Sequence, residues 1–163
     1  GLDHGAWVPL RHLYPTADVP VTQLSLQPQL PATHSLKVGR ALAPLADEGV
    51  LIVGSGHLTH NLSEWIAAAR GNGLCVGQSG YAPYVEQFRA WVDAALRDED
   101  AERVTRWANE APHARRAHPT DEHFLPLSLA YGAAGSRPQV ERIELGADSG
   151  VLAMDAYVFA PEA

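Results

Sequence analysis

The chain has a single cysteine among its 163 residues, Cys75. That excludes an intrachain disulfide and a cluster of zinc-bound thiolates, and it fits a reduced, cytoplasmic setting. No apolar run approaches the roughly 20 residues of a membrane span, so no membrane partner is expected. Basic residues are scarce: 12 Lys and Arg stand against 19 Asp and Glu, for a formal net charge of −7. A nucleic-acid partner would show as a basic patch, and none is visible. The opening Gly1-Leu2-Asp3-His4-Gly5 carries neither the basic nor the apolar region of a secretion signal. Met154 is the only methionine, so Gly1 is not a translation start and a portion upstream is expected to be missing. No repeat, low-complexity tract or interdomain linker is present. Residues 1–163 therefore read as one domain, with 46% apolar residues to build a core.

What the chain does have is histidine, eight in all. Two of them close the stretch around which the sequence is organised, Val50-Leu51-Ile52-Val53-Gly54-Ser55-Gly56-His57-Leu58-Thr59-His60-Asn61-Leu62. Four apolar residues in a row predict a strand buried on both faces. Gly54 and Gly56 predict a tight turn, since glycine tolerates positive φ. His57 and His60 then fall at the carboxyl end of the strand, the edge where open α/β sheets bind ligands. Either imidazole could equally serve only as a hydrogen-bonding group within the loop.

The other elements follow from pattern and punctuation. Residues 1–14 read as irregular, with a turn at Asp3-His4-Gly5. Val19–Leu26 predicts a strand with an edge signal at Pro20. His34–Asp47 predicts a helix with Thr33 as its cap, Pro44 distorting its last turn and Gly49 ending it. With Val50–Val53 this makes a strand–helix–strand unit, hence a parallel pair. Ser63–Arg70 predicts a short helix closed by Gly71. Asn72–Tyr81 is glycine-rich and reads as a loose lid. Tyr84–Leu96 predicts an amphipathic helix started by Pro83, with Val85, Phe88, Trp91 or Val92, and Ala95 or Leu96 on its inward stripe. Ala101–Ala111 predicts another, capped by Asp100 and burying Val104 and Trp107; Asp98-Glu99-Asp100 is its solvated junction. Thr120 predicts a helix cap, with Glu122 and His123 in the first turn and Gly132 and Gly135 at the end. Val140–Leu145 and Val151–Phe159 predict an antiparallel pair of strands.

Neutral imidazole is the commonest metal ligand in proteins. His57 or His60 on one loop could meet His123 on another element, with Glu122 as an adjacent carboxylate. Imidazole-plus-carboxylate sets suit zinc or non-haem Fe(II). No His-Glu-x-x-His is present, Ser55 does not sit in a Gly-x-Ser-x-Gly elbow, and no phosphate loop ending in Gly-Lys-Ser/Thr occurs.

Longer motifs point further. Gly1-Leu2-Asp3-His4-Gly5-Ala6-Trp7-Val8-Pro9-Leu10 and Tyr14-Pro15-Thr16-Ala17-Asp18-Val19-Pro20-Val21 come first. Gly54–Leu62, Pro119–Leu127 and Met154–Phe159 follow in order. Together they resemble the class III extradiol ring-cleavage dioxygenases of the LigB-type superfamily, in the DOPA 4,5-dioxygenase-like branch. The resemblance covers the C-terminal portion of such an enzyme.

The resemblance implies an α/β fold, a three-layer sandwich around a central mixed β-sheet, incomplete at its N-terminal side. It implies a mononuclear non-haem Fe(II) site, with zinc able to stand in its place in purified protein. It assigns His123 as metal ligand, and His60 as the acid/base that takes or relays a hydroxyl proton and touches the metal. His4 falls beside the substrate, as a catalytic and substrate-binding residue. His57 is left as structural, His118 is not a ligand, and His12, His34 and His113 are surface residues. The implied reaction inserts both atoms of O₂ into a catechol, DOPA-like or a related aromatic diol, to give a semialdehyde. The family supplies two further metal-ligand histidines from a portion ahead of Asp-His-Gly. The site of this chain is therefore expected to be incomplete, and a complementary N-terminal chain or a homo-oligomer is the expected partner. Two rivals share the pattern. One is a non-catalytic metal-binding or interaction protein of the same fold, resembling the Memo-type relatives; the other is a zinc hydrolase.

Overall fold

The structure, a computed structural model, describes residues 1–71, 76–98 and 100–161. Cys75, Glu99 and the first part of the expected lid lie outside the described residues.

The helices run α1 His4–Leu13, α2 Ala32–Leu42, α3 Leu62–Ala69, α4 Pro83–Leu96, α5 Trp107–Glu110, α6 Ala114–Ala117 and α7 Leu125–Ala133. The strands are β1 Gln139–Ile143, β2 Ala147–Asp148, β3 Leu152–Ala153 and β4 Ala156–Ala160. The protein thus mixes helices with small antiparallel sheets. β1 pairs with β4, from Gln139 opposite Ala160 to Ile143 opposite Ala156. The expected pair of C-terminal strands is present, but its connection is no simple turn: β2 and β3 form a second hairpin inside it.

The core gathers on α4. Val85, Phe88, Val92, Ala95 and Leu96 are fully buried along one stripe, as their spacing predicts. Phe88 meets the edges of Trp107 and Phe124, and His118 fits among the three rings at centroid distances of 5.3–5.6 Å. α2 crosses α7 at backbone contact. A Cβ on Gly39 would overlap the carbonyl oxygen of Leu129, and one on Gly132 would overlap that of Leu36. Gly132 therefore belongs to a helix crossing rather than to the helix end that its type suggests.

Several expectations are corrected. Residues 4–13 are helical, because the Asp3 carboxylate accepts the Ala6 N–H and caps α1. α2 begins at Ala32 after Pro31, ahead of Thr33, and gives way to a 3₁₀ turn, Ala43–Glu48, at Pro44. Gly49 closes that turn at φ +81°, as expected. The expected helix after Asp100 divides into a 3₁₀ turn, Arg103–Arg106, and α5, although Val104 and Trp107 are buried as read. Residues 76–81, expected to be loose, turn back on themselves through Gly77 N–H to Tyr81 O, with Tyr81 stacked on the Arg89 guanidinium.

The largest correction concerns the two leading strands. Residues 19–26 and 50–56 join no ladder among the described residues, so no parallel pair forms there. Leu51 is 63% exposed, where the expected doubly buried strand would hide it, and Leu24 on the other segment is 57% exposed. A strand buried on both faces needs neighbours on its edges and faces; Gly54 meets α7 at Pro126 and Ala130.

Candidate metal centre

Two segments build the site. The first is the loop from Gly54 to Asn61. Gly54 and Gly56 are not at positive φ among the described residues; they are glycines because the backbone of Pro126 and His123 approaches too closely for a Cβ. The loop then bends, and four groups fix it. Leu58 O accepts from His118 Nε2 at 2.8 Å. Thr59 Oγ1 donates to Val151 O at 2.6 Å and accepts from Ala153 N at 2.8 Å. His60 N–H donates to Ala117 O at 2.8 Å. Asn61 caps α3 by accepting the Glu64 N–H, and its amide donates to Arg116 O.

The second segment is the turn that leads into α7. Phe124 N–H donates to Asp121 O, and the buried Phe124 and Leu125 hold the turn on the core. Thr120 donates to Glu122 instead of capping the helix, so His123 stands just ahead of α7 rather than within it.

These two segments bring three imidazoles together. One ring nitrogen from each of His57, His60 and His123 lies within 4.8 Å of the others. The rings of His60 and His123 are stacked, with centroids 3.4 Å apart, and His57 stands 5.6 Å from each. Burial lowers the proton affinity of all three. His123 is pushed down to about 4 by burial and then by the neighbouring His60 and His57. His60 is lowered by burial and by His57; His57 is lowered by burial, with Asp148 opposing. All three are therefore neutral near pH 7, with lone pairs available. His123 Nδ1 is buried without a hydrogen-bond partner. Three neutral imidazoles with a nitrogen each in mutual reach, one of them with its Nδ1 buried and unpartnered, fit a borderline divalent metal such as iron or zinc.

His4 lies exposed at the start of α1, close enough for its charge to act on His123. His118 is fully buried, its Nε2 committed to Leu58, and burial pushes it down to about 4. His12 and His113 are exposed and His34 is half-buried. Glu122 flanks His60 and His123 without joining the cluster. The sequence reading set His57 aside, yet the structure places it in the cluster. Its spacing of three from His60 was the available signal; the bend at Leu58 and Thr59 turns both rings to one side.

Residues 1–159 match the family described as the catalytic LigB subunit of aromatic ring-opening dioxygenase. The chain belongs to the LigB family. Within that family it is 46% identical over 159 residues to the 4,5-DOPA dioxygenase extradiol of Beta vulgaris, a match covering 98% of this chain. It is 36% identical over 154 residues to the protein of that name from Escherichia coli strain K12. This LigB-family chain spans 56% of the length of the first and 53% of the second. The crystal structure of an uncharacterized Escherichia coli K12 protein superposes with a TM-score of 0.76 at 32% identity, covering 96% of this chain and 62% of that one.

Proposed function

We propose that the chain forms the C-terminal, histidine-bearing part of an extradiol dioxygenase. The reaction inserts both atoms of O₂ into a catechol, DOPA-like or a related aromatic diol, and gives a semialdehyde. The observation that carries this reading is the convergence of His57, His60 and His123 as neutral imidazoles in a LigB-family chain.

His123 is the metal-holding residue in this reading, with His57 in reach as a second donor, while His60 stands against the metal and keeps its ring lone pair for the proton. Ferrous iron held there would supply the electron transfer with O₂ that side chains lack, whereas zinc takes the same donors without redox chemistry. His60, neutral at pH 7, accepts a proton from a catechol hydroxyl on a ring nitrogen and returns it to the product. His4 hydrogen-bonds the substrate from the exposed start of α1. The buried wall of Phe124 and Leu125 behind His123 keeps water from that side of the site.

The segments 19–26 and 50–56 become strands of a three-layer sandwich around a mixed sheet once the rest of the fold adjoins them. A complementary N-terminal portion, in the same or a separate chain, or a second copy supplies that neighbour. A reducing cytoplasm keeps the iron ferrous.

The test is O₂ uptake by the chain loaded anaerobically with Fe(II), alone and mixed with the N-terminal portion of a LigB relative. Uptake with a catechol and none with a monophenol is expected from the mixture. Equal turnover of an ester by the zinc-loaded protein would assign a hydrolase instead, and metal binding without either activity would assign a Memo-like binding protein.

A further inference from the structure

We infer that Thr59 is a positioning residue: its hydroxyl, clamped between Val151 O and Ala153 N, aims His57 and His60 at His123. Thr59 is wholly buried, and its one oxygen serves as donor and acceptor to a hairpin more than ninety residues away. With the donated proton and the accepted one both placed, the side chain has one orientation. It stands between the two loop histidines, next to His60 and two residues after His57, so its anchor decides which way the backbone bends on either side.

The hairpin that receives it is rigid. Val151 and Ala153 are fully buried, and Gly150 O accepts the Ala82 N–H at 2.9 Å. Two residues beyond Ala153, the buried carboxylate of Asp155 receives Arg89 at 2.6 and 2.7 Å and Arg142 at 3.0 and 3.1 Å. Thr59 therefore ties the histidine loop to the best-fastened part of the C-terminal half. The groups that hold His60 N and Leu58 O come from a different part of the chain, at α6 and His118. Without the Thr59 clamp the loop keeps only the anchors at Ala117 and His118, and the two imidazoles lose their common aim. Donor geometry of this kind sets metal affinity through residues that never touch the ion.

The inference rests on the metal-site reading, and the experiment separates the two. Thr59→Val keeps the shape and removes the hydroxyl; Thr59→Ser keeps the hydroxyl. Imidazole NMR signals of the metal-free protein and titration with Co²⁺ are the readouts, with circular dichroism for the fold. Thr59→Val is expected to shift or broaden the ring signals of His57 and His60 and to weaken Co²⁺ binding at least tenfold, with Thr59→Ser restoring both. Ring signals and Co²⁺ affinity unchanged in Thr59→Val would overturn the inference. If Thr59→Val does not fold, amide exchange in the wild-type chain decides: Ala153 N–H must exchange as slowly as the amides of α4, and rapid exchange overturns the clamp. If the wild type binds no Co²⁺, the metal reading fails, while the ring signals still decide the role of Thr59.

Discussion

The imidazoles of His60 and His123 stack with their centroids 3.4 Å apart and their planes 15° from parallel. One comes from a loop before α3 and the other from the turn before α7, 63 positions later in the chain. Two rings so close, both half-buried, disfavour protonation of either. In protein carrying the upstream portion, His123→Ala should lose its metal. His60→Ala should keep its fold and part of the metal while ring opening falls about 10²–10⁴-fold. His57→Ala should affect metal content less than His123→Ala. Elemental analysis and semialdehyde absorbance on the three variants check these outcomes; an active His60→Ala beside a dead His57→Ala would reverse the roles.

Gly56 and His123 touch through their backbones, since a Cβ on Gly56 would overlap the His123 carbonyl oxygen. Gly56→Ala must push the loop away from α7. Overpacking of this kind costs about 1–3 kcal/mol, and the separation between the two histidine segments should widen with it. Thermal unfolding and Co²⁺ affinity are both expected to fall, whereas Gly71→Ala, with open space around it but a positive φ, should lower stability alone.

His118 makes stability depend on pH. Its proton affinity in the folded protein is about 4, below the ordinary 6.5, because the ring is buried among aromatic rings. The unfolded chain therefore binds the proton first. The stabilisation is full above about pH 6.5 and is lost as pH falls toward 4, up to roughly 3 kcal/mol for this one ring. His57, His60 and His123 act in the same direction. Urea denaturation between pH 7 and 4.5 should show stability dropping, and His118→Phe should show a shallower drop.

Asp155 is the buried counterion of two arginines, with its side chain fully inaccessible. Asp155→Asn leaves Arg89, itself only 7% exposed at the side chain, with the exposed Glu144 at 3.5 Å as its remaining anion. Removing one partner of a buried pair costs about 3–5 kcal/mol. Chemical denaturation should register that loss; a change below about 1 kcal/mol would show that Glu144, which already pairs with both guanidinium groups, suffices for them.

Val19, Val21 and Leu24 on one segment and Val50, Leu51 and Val53 on the other expose apolar side chains on stretches that join no sheet among the described residues. Such edges invite pairing with another chain. Sedimentation velocity of the chain alone should show concentration-dependent association, and adding the N-terminal portion of a LigB relative should replace it with a defined complex. A strictly monomeric chain that ignores that portion would count against the proposed partner.

Local chemistry made much of this protein legible in its sequence. The apolar stripe of α4, Pro83 at its start, the break at Pro44, the stop at Gly49 and the pairing of β1 with β4 all depend on neighbours within a few residues or on simple alternation. So did the candidacy of His60 and His123, because the motifs around them are contiguous. The tertiary structure decided the rest. Whether Val50–Val53 becomes a laddered strand depends on partner strands, which no local run of valine and isoleucine specifies. Gly54 and Gly56 suggested a turn, but they serve a close approach to α7 that is visible only once both segments are placed. His57 joined the cluster because Thr59 bonds to a hairpin more than ninety residues away, and a contact of that range leaves no periodic mark on the chain.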